Sequence, residues 1–229
     1  MQAVVVVFPG SNRERDLCAA LMLVTGRAPV SVWHRDASLP PCDLVVLPGG
    51  FAYGDYLRCG AMAAHSPIMR EVVALAKKGV AILGICNGFQ ILAETGLLPG
   101  TLMRNAERNF VCKDVHLRVE SSDSIFTRKY NAGTVARIPI AHGEGNYFAD
   151  QDTLERVEGE GQVAFRYVDT YGAETKAANP NGSQRNIAGI FDKTRRILGM
   201  MPHPERLADP VLGGTDGRPM FEGLVEALS

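Results

Sequence analysis

Cys86 is the residue of this chain best set up for covalent chemistry. It stands in Gly84-Ile85-Cys86-Asn87-Gly88, directly after the apolar run Val80-Ala81-Ile82-Leu83. That run reads as a buried strand, and the segment behind it, with Phe89, Ile91 and Leu92, reads as a helix. A thiol between glycines at a strand-to-helix turn is the cysteine form of a nucleophile elbow. The sharp bend lifts one side chain out of the sheet, and the glycines leave room for it. At the first turn of a helix, unpaired N–H groups and the helix dipole favour negative charge, and the thiolate is the form that attacks.

Most cysteines do nothing chemical, so the elbow needs a base. Met201-Pro202-His203-Pro204-Glu205 supplies one at the end of a second apolar run. Pro204 biases His203 toward extended geometry, in which residues two apart share a side. Glu205 can then hold one imidazole nitrogen of His203 while the other faces Cys86. Thiol, imidazole and carboxylate make a triad defined by roles and not by chain order. His203 would take the thiol proton and later give it to a leaving amine. Acyl transfer also needs two N–H groups for the developing oxyanion. The expected donors are the amides of Asn87, next to the nucleophile, and of Gly50, which follows strand Asp43–Leu47 in Pro48-Gly49-Gly50.

Other chemistries find less support. His203-x-Glu205 and His142-Gly143-Glu144 have the H-x-E spacing of zinc deaminases but lack a following P-C-x-x-C. No metal site is expected. There is no Walker A loop and no G-x-G-x-x-G, so no nucleotide or other cofactor is expected on this chain.

The elements that must position these groups alternate along the first half. Strand Ala3–Phe8 leads to a helix carrying Leu17, Ala20, Leu21 and Val24, which stops at Gly26. Val30–Trp33 and Asp43–Leu47 follow as strands. Ser66-Pro67 reads as N-cap and first helical residue of a helix ending at Lys77-Lys78-Gly79. This order predicts an α/β fold, a mostly parallel doubly wound sheet with flanking helices, with ligands beyond the carboxyl ends of its strands. In the second half Val111–Val119, Val135–Ile140, Gln162–Tyr167, Ile187–Phe191 and Arg196–Met200 read as strands, several of them antiparallel, and Pro219–Leu228 as a closing helix. No linker or repeat divides residues 1–229, so one domain is expected.

Composition sets outer bounds. Of 229 residues, 46% are hydrophobic and 21% charged, with net charge −1, which gives no basic surface for nucleic acid. No apolar run nears the roughly 20 residues of a membrane span, and the apolar start of the chain reads as a core strand rather than a leader. The five cysteines are odd in number and widely spaced, which predicts free thiols in a reducing cytoplasm.

These segments carry a resemblance. Phe8-Pro9-Gly10-Ser11-Asn12, Gly49-Gly50-Phe51-Ala52-Tyr53-Gly54-Asp55-Tyr56-Leu57-Arg58 and Gly84-Ile85-Cys86-Asn87-Gly88-Phe89-Gln90 are joined by Ala141-His142-Gly143-Glu144-Gly145, Asn179-Pro180-Asn181-Gly182-Ser183 and Met201-Pro202-His203-Pro204-Glu205-Arg206. Together they resemble class I glutamine amidotransferases over essentially the whole length. Within that class the Asn-Phe elbow and the Gly-Phe-x-Tyr-Gly-Asp loop are similar to the glutaminase subunits of phosphoribosylformylglycinamidine synthase.

The resemblance implies a glutamyl thioester on Cys86, with His203 and Glu205 completing the triad and ammonia as product. It implies that Gln90, Asn109 and Phe110 bind glutamine and that His142 and Glu144 support the site or the ammonia exit. It also implies a large synthetase subunit, which holds ATP and Mg, and a small bridging subunit. Loop Phe51–Gly60 is then expected at the docking or gating surface. One departure is visible: Arg13-Glu14 stand where relatives often have a cysteine and acidic residues. The alternatives are a partner-independent cysteine hydrolase (peptidase or γ-glutamyl hydrolase), an amidotransferase feeding another acceptor, and a non-catalytic binding module.

Overall fold

Short β-branched runs build the centre of the molecule because each is buried on both faces, which leaves no room for polar alternation. The computed structural model describes residues 1–229. In chain order the elements are β1 (Ala3–Val7), α1 (Glu14–Thr25), β2 (Val30–Trp33), β3 (Leu44–Leu47), α2 (Ala61–Ala64), α3 (Pro67–Lys77), β4 (Ala81–Ile85), α4 (Asn87–Glu94), β5 (Thr101–Met103) and β6 (Val111–Val119). They continue as β7 (Val135–His142), β8 (Asn146–Phe148), α5 (Gln151–Gly159), β9 (Val163–Val168), β10 (Ile187–Phe191), β11 (Ile197–Met200) and α6 (Arg218–Leu228), with short 3₁₀ turns between.

Nine strands form one sheet in the order β2-β1-β3-β4-β11-β10-β9-β6-β7. The five strands from β2 to β11 are parallel, and the rest pair antiparallel. β3, β4, β10 and β11 are buried throughout, whereas β7 alternates buried and half-buried residues, as a sheet with one wetter face must. A single apolar cluster of 56 buried residues runs through both halves. The mostly parallel sheet with flanking helices and antiparallel additions is the architecture expected.

One pairing matters most for the site. β11 lies beside β4 in parallel register, Met200 opposite Ile85, so both strands end at the same edge. The Cys86 amide donates to Met200 O at 2.7 Å and locks the two ends together.

Several local expectations need correction. Ser66 occupies the cap position of α3 but makes no capping bond. Its hydroxyl instead meets Tyr53 Oη at 3.0 Å and His34 Nδ1 at 3.3 Å. β7 runs two residues past Ile140 and carries His142 inward. Helix α5 was hidden by its polar composition: only Leu154 and Val157 are buried, although Asp150 caps it by accepting from Thr153 N at 2.7 Å. β5 and β8, three residues each, pair only with one another and are too short to show a period.

Candidate active site

Cys86 sits at φ 52°, ψ −107°, outside the ordinary regions for a residue with a side chain. Backbone of this kind persists only where its surroundings enforce it. The enforcement is visible on both sides. A Cβ on Gly88 would run into the Leu47 carbonyl, and one on Gly84 would lie 2.7 Å from Gly88 O. The elbow therefore needs glycine for close packing against β3. The Cys86 carbonyl accepts from the amides of Phe89 and Gln90 at 3.0 and 3.2 Å, which starts α4.

His203 follows β11 and lines a hollow with Cys86. Its amide donates to Pro139 O at 2.8 Å, and its ring packs so closely that a Cβ on Gly49 would lie 2.7 Å from Cε1. Nδ1 of His203 is 2.6 Å from Glu205 Oε1, and both side chains are buried. The route to this contact differs from the extended one expected. Residues Pro204–Leu207 form a 3₁₀ turn, and that turn brings Glu205 back under the ring.

Nε2 of His203 has no hydrogen-bond partner, and His203 and Cys86 line one small hollow of about 50 Å³. The sulfur itself is 3.9 Å from Ala141 O. Burial opposes charge on His203, but the Glu205 carboxylate and the neighbouring Cys86 outweigh it and push the imidazole up to about 10. Such a ring carries its proton at neutral pH and can pair with a thiolate.

The amides of Gly50 and Asn87 donate to no other group of the protein. Gly50, at φ 151°, bridges Ser11 through its neighbours: Phe51 N donates to Gly10 O at 2.9 Å and Asn12 N to Gly49 O at 3.3 Å. A Cβ there would lie 2.6 Å from Gly10 O, so the close approach requires glycine. The Asn87 side chain has separate work. It accepts from Ala52 N at 3.1 Å and donates to Gln90 Oε1 at 2.9 Å, pinning the loop after Gly50 to α4.

A cavity of about 160 Å³ opens on Cys86 and is lined by Gly50, Asp55, Gln90, Phe110, His142 and Glu144, among others. Gln90 is buried, and its Nε2 donates to Glu144 O at 2.6 Å, so it braces the wall with both ends of its amide engaged. Phe110 forms part of the mouth near Phe51, with ring centroids 6.3 Å apart. Asn109 is exposed and is not brought into the lining; only its carbonyl is held, by Asn105 Nδ2 at 2.8 Å. His142 meets Asn105 Oδ1 at 3.2 Å, and burial, reinforced by the charge of His203, lowers it to about 4. The Glu144 carboxylate pairs with Arg104 at 3.4 Å. A larger hollow, about 1030 Å³, lacks the nucleophile and meets this cavity only at Glu144.

Three residues with no site role legible in the sequence also shape the site. Asn105, buried, ties the turn before β6 to the turn after β7 by donating to His142 O at 2.9 Å and accepting from Gly145 N at 3.0 Å. Asn181, inside the Asn-Pro-Asn-Gly-Ser segment, donates to Gly145 O at 2.8 Å. Arg13, at the departure from the family pattern, lines the small hollow with Cys86 and His203. No group of three or more potential ligands for a metal ion occurs.

Residues 1–214 match the family model described as a CobB/CobQ-like glutamine amidotransferase domain. A Bradyrhizobium diazoefficiens protein named phosphoribosylformylglycinamidine synthase subunit PurQ is 58% identical over 229 residues, covering 100% of this chain and 98% of its own. A Nitrobacter winogradskyi protein of the same name is 59% identical with the same coverage. Among solved structures, a chain in the structure of PurLQS from Thermotoga maritima is 43% identical, with TM-score 0.88 over 100% of this chain and 99% of that one.

Proposed function

The chain belongs to the CobB/CobQ-like glutamine amidotransferase family, and on that premise we propose that it is the glutaminase subunit of phosphoribosylformylglycinamidine synthase, in purine biosynthesis. The observation that carries this reading is the buried convergence of Cys86, His203 and Glu205 at the shared edge of β4 and β11.

The chemistry follows from the geometry. The Cys86 thiolate attacks the side-chain carbonyl carbon of glutamine. The oxyanion that forms is met by the amides of Gly50 and Asn87, both otherwise unengaged. His203, oriented by Glu205, gives its proton to the departing nitrogen; the C–N bond breaks, ammonia leaves and a thioester remains. Water then attacks the thioester, His203 takes its proton, the C–S bond breaks, and glutamate leaves with the thiolate restored.

Ammonia released into water at neutral pH would mostly become ammonium and lose its nucleophilicity. The chain therefore works docked to a large synthetase subunit, with a small third subunit bridging, and ATP and Mg act on the synthetase. Its five free cysteines fit a reducing compartment, and we assign it to the cytoplasm. No helix is long and apolar enough to cross a membrane.

Loop Phe51–Gly60 forms the docking surface in this reading. Tyr53 is tied down by His34 at 2.7 Å, and Arg58 by two bonds to Glu94. Tyr56 and Leu57, 73% and 92% exposed, are the side chains left free to meet a partner.

The test is reconstitution with the synthetase and bridging subunits, ATP and formylglycinamide ribonucleotide. Glutamine should support synthesis with the wild-type chain and ammonium with both wild type and Cys86→Ala, whereas glutamine with Cys86→Ala should fail. Glutaminase turnover should rise on assembly. A Cys86→Ala complex that still used glutamine would refute the proposal.

A further inference from the structure

Glutamine carries a positive α-ammonium group, and the cavity beside Cys86 offers an uncompensated negative charge to meet it. Asp55 and Glu144 both line that cavity. Asp55 has no cationic partner; its carboxylate meets only neutral donors, Asn87 Nδ2 at 3.4 Å and the Cys59 thiol. The basic residue nearest in sequence, Arg58, is turned away and held by Glu94. Glu144 is paired with Arg104, but that arginine side chain is 80% exposed, so water screens the pair. Burial, reinforced by the charge of Glu144, pushes the Asp55 carboxyl up from its ordinary value against the opposing bond from the Cys59 thiol, the mark of a carboxylate lacking a cation. Cys59, buried in the same wall, is held neutral: burial and the flanking carboxylates both oppose its ionisation.

The catalytic cavity is marked as a ligand site independently of these acids. The Nε2 of His203 is buried and unpartnered, His203 lines the hollow it shares with Cys86, and the amides of Gly50 and Asn87 are unengaged. An acyl group at Cys86 thus has a defined place, and the cavity runs from there to the two carboxylates. Resting on the glutaminase reading, we infer that Asp55 and Glu144 form the subsite for the substrate's α-ammonium group and set the preference for an α-amino acid amide.

The geometry makes Asp55 the principal contact, because an incoming cation meets no competitor there. Glu144 shares the charge from the opposite turn, its backbone carbonyl already fixing Gln90. Both acids act on binding and not on bond cleavage, so their loss should raise KM for glutamine more than it lowers kcat.

The experiment compares wild type, Asp55→Asn and Glu144→Gln in the assembled complex, with thermal melting to verify folding. Each variant keeps the shape and the acceptor oxygen. Substrates are glutamine and glutaramic acid, which lacks only the α-amine. Alkylation of Cys86 by the chloromethyl ketone analogue of glutamine, which bears the amine, is set against alkylation by iodoacetamide, which does not. For Asp55→Asn, kcat/KM for glutamine and the chloroketone rate should fall about ten-fold to a hundred-fold, as loss of a charge-assisted contact predicts. Glutaramate turnover and iodoacetamide alkylation should change less than about three-fold, within the ordinary spread of context effects on a contact. Equal losses for amine-bearing and amine-free compounds, or no loss for either, would overturn the subsite. A wild-type complex that neither hydrolyses glutamine nor reacts with the chloroketone at Cys86 would instead overturn the glutaminase reading beneath it.

Discussion

At the scale of single residues, the site depends on how Glu205 handles charge. A buried imidazole alone would be neutral; the carboxylate 2.6 Å away makes it a cation that can pair with sulfur. Glu205→Gln keeps the shape and removes the charge, and should lower kcat by about 10²- to 10⁴-fold, as the loss of an orienting carboxylate does elsewhere. The same change has a signature in stability. A histidine raised from 6.5 to about 10 stabilises the folded chain fully below pH 6.5, and that contribution is lost as pH rises through 10. Unfolding measured at pH 7 and pH 10 should show wild type losing more stability across that interval than Glu205→Gln. Equal losses would mean that the ring is not charged in the folded chain.

At the scale of elements, what could be read in advance was whatever a short stretch decides by itself. Pro67–Lys77, Val111–Val119 and Ile187–Phe191 have the bounds their patterns predict, because each begins or ends at a sharp chemical boundary. The elbow was legible for the same reason: glycine on both sides of Cys86 answers to packing against Leu47 and to the bend itself. Non-local contacts were not legible. Ser66 reads as a helix cap, yet its hydroxyl serves the cluster of His34 and Tyr53, partners 32 and 13 residues away. That difference is measurable. Ser66→Ala and Tyr53→Phe should each cost about 1 kcal/mol. The double variant should cost less than their sum by about 0.5 kcal/mol or more, because both bonds belong to one network. Strict additivity in denaturant titrations would return Ser66 to the capping role.

At the scale of the whole molecule, the triad exists because a late strand inserts beside an early one. Nothing near Cys86 or His203 in sequence says that β11 docks on β4, since the pairing is between residues more than a hundred positions apart. The parallel half of the sheet supplies the elbow and the Gly49-Gly50 loop, and the antiparallel half supplies β7, which backs His203 at Pro139 and faces the sulfur at Ala141. The proposed catalysis is thus a property of the assembled sheet, and the role proposed for Asp55 is not legible in the sequence because it follows from where the loop lies and not from its own neighbours. The most direct measurement is the site and stoichiometry of alkylation by the chloromethyl ketone analogue of glutamine, read by mass spectrometry of the intact chain and its peptides. One adduct, located on Cys86, slowed by glutamine and strongly slowed in His203→Ala, is the predicted result. Label on Cys59 or another thiol with Cys86 untouched would contradict the account.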